Sequence, residues 1–134
     1  MKRIGYLSLL VIASQVAAQS RPLFETDVRV RVVNDTLVYV VVQIDNVSGR
    51  TVTELEGFLT ESDSRSETVS EKKMVHIHKY DAPLRDGFTV VRGVTYPFNP
   101  SQSRRYRYHF SHIKFRNDPR IFVYHPDAGL IRIE

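Results

Sequence analysis

The chain of 134 residues contains no cysteine. That absence excludes disulfide reinforcement, a lipid-modified cysteine, thiol redox chemistry, cysteine nucleophiles and thiolate metal sites. The core must therefore hold the fold unaided. Amphipathic helical periodicity is also lacking, because apolar residues recur at period two almost everywhere after residue 20. There is no G-x-S-x-G elbow, no H-E-x-x-H pair and no glycine-rich phosphate loop. Internal repeats and long linkers are absent too. An enzyme is accordingly not expected.

Long apolar runs are confined to the N-terminus. Lys2 and Arg3 precede a mostly apolar stretch over 4–13, and Val16-Ala17-Ala18 supplies small residues before a cut that would leave Gln19 first. This is the grammar of a secretory signal peptide over 1–18, too short for a membrane span of about twenty residues. The expectation is an exported protein, periplasmic or secreted, with a single domain over 19–134. Removing Lys2 and Arg3 takes the 19 basic residues to 17 against 15 acidic ones, so the mature chain is only mildly basic. With export, that balance argues against nucleic acid as a partner.

What is present is strand pattern. In 24–33, Phe24, Thr26, Val28, Val30 and Val32 alternate with Glu25, Asp27, Arg29 and Arg31, which predicts a strand with one wet face. Asn34-Asp35 turns the chain into 37–45, β-branched or aromatic on both faces and so expected in the middle of a sheet. A third strand is expected over 51–60, with Thr53, Leu55 and Leu59 inward and Gly57 marking a bulge or close backbone contact. Residues 61–71 are polar without apolar periodicity and read as a mobile loop. Further strands are predicted over 72–80, 88–98, 103–115, 121–125 and 130–133, with Pro97 placing the fifth at an edge. The fold class is all-β: an immunoglobulin-like β-sandwich of seven or eight mostly antiparallel strands, with a closed barrel as the competitor.

The run VVVQIDNVSGRTV from Val40 to Val52, in which a strand ends in Asn46, small residues and Gly49, resembles the opening of exported sandwich modules of the FxLYD type. The turn Phe98-Asn99-Pro100-Ser101-Gln102-Ser103 is similar to their proline-led turn before a late strand. The match covers about half of the mature chain. The aromatic signature that names the family is not present in its usual form, and Ile121-Phe122-Val123-Tyr124 only echoes it. The resemblance implies a binding or structural part of the cell envelope. It carries over no functional residues.

Two constellations bear chemistry. On a regular strand Met74, His76 and His78 share one face at about 7 Å spacing, a row that would suit copper or zinc if His109, His112 or His125 completed it. The bland reading is that Met74 and Tyr80 cover the core edge. The second is Arg104-Arg105-Tyr106-Arg107-Tyr108-His109-Phe110, followed by Lys114, Arg116 and Arg120. Alternation sends the rings inward and leaves Arg105, Arg107 and His109 on a wet basic stripe with Lys114 and Arg116. Such a stripe fits another envelope or extracellular protein, or an anionic polymer such as lipopolysaccharide or acidic polysaccharide. Glu54 and Glu56 share a strand face, which is ordinary for exposed carboxylates. Asn34-Asp35-Thr36 and Asn46-Val47-Ser48 match the glycosylation pattern, but turn chemistry accounts for both.

Overall fold

The computed structural model describes residues 21–134. The expected signal peptide over 1–18 lies outside the described residues. Eight strands are present: β1 (Phe24–Asn34), β2 (Leu37–Asn46), β3 (Val52–Ser62), β4 (Thr68–Ile77), β5 (Thr89–Pro97), β6 (Arg105–Phe115), β7 (Phe122–His125) and β8 (Gly129–Arg132). They form two sheets, ordered β1-β2-β5 and β4-β3-β6-β7-β8, with every pairing antiparallel. The molecule is thus a β-sandwich rather than a closed barrel. No helix among the described residues is long and apolar enough to cross a membrane.

β2 lies in the middle of the smaller sheet, as a strand apolar on both faces should. Val38, Val40, Val42 and Ile44 are buried on its inner side, facing Val52, Leu55, Leu59, Ile113 and Phe115 of the larger sheet. Each such side chain contributes about 1.5–3 kcal/mol by leaving water, so this interlayer packing can replace the missing disulfides. β5 pairs only with β2 and ends at Pro97, confirming the edge position.

The 61–71 segment is a correction. β3 runs on to Ser62 and β4 starts at Thr68, leaving a five-residue turn. Asp63 closes it: its Oδ1 accepts from the backbone N–H of Arg65 at 2.9 Å and of Glu67 at 3.0 Å. Ser66 takes the left-handed conformation at φ 65°. The strand escapes an apolar pattern because β4 is an edge strand whose first residues gain backbone pairing while their side chains stay wet.

Among the register shifts, three bear on residues singled out above. In β3, Val52 takes the buried place expected of Thr53, whose hydroxyl instead donates to Lys114 O at 3.2 Å. In β4, the register skips His76 between Val75 and Ile77. In β6, it skips Ser111 between Phe110 and His112. Gly57 lies opposite the last of these and shows the expected close approach: a Cβ there would sit 2.3 Å from His109 O and 2.4 Å from the Tyr108 ring.

Candidate functional site

The outer face of β6 carries the basic stripe, and the Ser111 bulge determines its membership. Arg105, Arg107 and His109 alternate outward while Tyr106, Tyr108 and Phe110 turn toward the core. Without a bulge, Lys114 would share the parity of those rings and point inward. The extra residue reverses the alternation, so Ile113 and Phe115 are buried and His112 and Lys114 join the outer face. Arg116 lies one residue beyond the strand, its backbone N–H donating to Thr51 O at 2.9 Å. At 3.3 Å per residue it stands about 36 Å along the chain from Arg105, so the five residues do not make one compact contact.

The stripe also divides electrostatically. At the Lys114 end, Glu54 receives Lys114 Nζ at 3.8 Å and His112 Nε2 at 3.5 Å, while Lys73 Nζ meets Glu56 at 2.8 Å. Charge there is largely compensated. At the other end the residues opposite on β3 are neutral: Ser62 faces Arg105, Thr60 faces Arg107 and Phe58 faces His109. No ion pair reaches these three among the described residues.

Glu54, Glu56 and His112 place one ligand atom each within 4.8 Å of one another, a geometry able to hold a cation. Both carboxylates already serve lysines. The sequence held a signal for this grouping, namely the switch of apolar parity from 106, 108 and 110 to 113 and 115, which implies a bulge and brings His112 round to the Glu54 side.

The Met74, His76, His78 row is broken. β4 ends at Ile77, and the bulge leaves both His76 and Ile77 buried while His78 sits exposed in the following turn, its N–H donating to Asp81 Oδ2 at 2.8 Å. His76 is fully buried with Met74 beside it in the core. Its Nε2–H donates to Val42 O at 3.1 Å and its ring meets Tyr108 edge-on at 5.4 Å. Burial holds its pKa below the ordinary 6.5 despite that bond, with Arg92 adding to the effect. His109 and His125 are exposed elsewhere.

The polar neighbours of Glu61 predict a loop, yet it is a buried residue of β3. Ser70 Oγ donates to it at 2.9 Å and Tyr106 OH at 3.1 Å, with Arg104 Nε at 3.7 Å. Burial first, and then this carboxylate, raise the Tyr96 phenol to about 12 and push that of Tyr106 up as well. A cavity of about 280 Å³ opens beside Glu61 toward Val30, Val38 and Phe98. Both carboxylate oxygens are engaged by the protein itself, which marks the group as structural.

No family model matches the chain, and no curated protein matches it. Among solved structures, it is similar to a Bordetella pertussis chain assigned as ApaA, at 14% identity over 82% of this chain and 89% of that one, with a TM-score of 0.58. It is also similar to the structural-genomics target SoR45, at 9% identity over 81% of this chain and 82% of that one, with a TM-score of 0.50. At such identities the likeness is one of fold.

Proposed function

We propose that this chain is a non-catalytic exported binding or structural module of the cell envelope or extracellular space. It contacts another protein or an anionic envelope polymer through its sheet edges and the basic row on β6. The observation that carries this reading is the exposed series Arg105, Arg107 and His109, set against Ser62, Thr60 and Phe58 with no acidic partner among the described residues. Charge left uncompensated on a surface is available to an anionic ligand. The export half of the reading rests on the signal-like N-terminus, and the resemblance to FxLYD-type modules agrees with it. The alternative of a copper or zinc carrier draws no support from the positions of Met74, His76 and His78.

Salt-gradient elution from an immobilised anionic polymer tests the reading. The doubly substituted Arg105→Ala, Arg107→Ala protein should elute at distinctly lower salt, because uncompensated charges dominate such retention. Lys114→Ala should elute close to the parent, since Glu54 already answers that lysine. Equal elution of the double variant and the parent would contradict the proposal.

A further inference from the structure

β6 has a full partner on one side only. β3 pairs with it from Ser62 opposite Arg105 to Val52 opposite Phe115, whereas β7 meets it at the single position Ile113 opposite Phe122. From Phe122 opposite Ile113, β7 runs antiparallel back to His125, so the other side of β6 is a free backbone edge over residues 105–109 among the described residues. β1, the last strand of the smaller sheet, is likewise free on the side away from β2. Between these edges runs an open groove of about 810 Å³, walled by Val28 of β1, Tyr108 and Phe110 of β6, and Val123, Tyr124 and Ile131 of the β7 and β8 hairpin. Its floor is continuous with the core, since Phe110 packs on Phe24 at 5.3 Å and on Tyr124 at 5.6 Å between ring centroids.

Three properties of this place agree. Unpaired backbone groups along β6 ask for hydrogen-bond partners, which an extended chain supplies at strand spacing. The wall that faces the core is apolar. The outer row is cationic, and the acid that would answer it is missing on the β3 side, where Lys114 and Lys73 do find theirs. The one lateral position left for that acid is the vacant place beside β6.

We infer that the vacant place beside residues 105–109 accepts an extended segment of another protein, one in which acidic residues alternate with apolar ones. Its acidic side chains lie next to Arg105, Arg107 and His109. Its apolar side chains descend between Val28, Phe110 and Tyr124, and its backbone adds a strand to the larger sheet. This rests on the binding-module reading above and narrows it to a strand-shaped, acidic protein partner.

The test titrates the protein with a blocked peptide, Glu-Val-Glu-Val-Glu-Val-Glu, while amide exchange and nitrogen-resolved chemical shifts are followed. Controls are the Lys-Val repeat, the same acidic peptide with its central valine replaced by proline, and polyglutamate. The acidic alternating peptide should slow exchange of amides within 105–109. Arg105→Ala with Arg107→Ala should weaken binding by about tenfold or more, as loss of two facing charges does. The lysine and proline peptides should bind far more weakly. Failure of the peptide to bind, binding that leaves the β6 amides unchanged, or equal binding by polyglutamate would overturn the inference. If the peptide fails while arginine-dependent retention on the anionic polymer persists, strand addition falls and the stripe reading stands. If both fail, the stripe reading falls as well.

Discussion

Asn46 is fully buried, yet every polar atom of its side chain is paired. Nδ2 donates to Arg50 O at 2.8 Å and Leu84 O at 3.0 Å, while Oδ1 accepts from Ser48 N at 3.0 Å and Ser48 Oγ at 2.6 Å. Its backbone ties in the 84–88 loop as well, through Phe88 O and Gly87 N. The glycosylation pattern there is thus spent on holding a turn. Asn46→Ala would remove all four of these side-chain hydrogen bonds at once and is expected to cost about 3 kcal/mol in denaturant unfolding. His76 predicts a pH response. Its folded pKa lies below the unfolded 6.5, so the unfolded chain binds the extra proton first. Stability is fully present above about pH 6.5 and falls as pH drops through that value toward the folded pKa. His76→Gln keeps a donor for Val42 O and should flatten that slope in unfolding curves taken from pH 8 to 5. A persistent slope would assign it to other groups. Asp118 acts at lower pH. Hydrogen bonds from Arg120 and Arg50 hold its carboxyl well below the ordinary 3.8, so its contribution is present above that value and is lost only in stronger acid.

At the scale of elements, alternation was legible wherever one face met the core and the other met water, as in 24–33, 88–98 and the first half of β6. It was also legible in β2, whose two apolar faces fit its central place. It failed for the start of β4, because an edge strand paired through its backbone needs no apolar row. It failed again at bulges, since one inserted residue exchanges the two faces beyond it. That is why Arg105, Arg107 and His109 could be assigned to the surface from spacing alone, while the face taken by Lys114 required the Ser111 bulge and the metal row was undone by the one at His76. Deleting Ser111 removes the extra residue itself, so Tyr106, Tyr108, Phe110, Ile113 and Phe115 fall into one strict alternation and all stay on the inner face. The deletion variant is therefore expected to keep a cooperative thermal transition, and its loss would mean that the bulge is not what sets the two faces. Gly57→Ala, which meets His109 O and the Tyr108 ring, should still fold but lose about 2–3 kcal/mol by overpacking.

For the whole molecule, the two sides of the sandwich differ in closure. On one side Lys72 of β4 reaches Thr95 O of β5 at 3.2 Å and lies over the Tyr96 ring at 4.2 Å, drawing the two sheets together. On the other, β1 and β6 meet through Phe24 and Phe110, 5.3 Å apart at their ring centroids, and the groove opens between them at Val28 and Tyr108. Closure on one side and an open, cationic edge on the other is the arrangement from which the binding proposal starts. Nothing in strand periodicity could have revealed it, because pairing order and the reach of β7 along β6 are properties of the assembled sheet. Amide hydrogen exchange of the unliganded protein tests this most directly. With β3 on one side only, alternate amides within 105–109 should be protected and those between them should exchange rapidly, while β3, flanked by β4 and β6, is protected throughout. Uniform protection across 105–109 would mean that this edge is already covered, and would contradict the account.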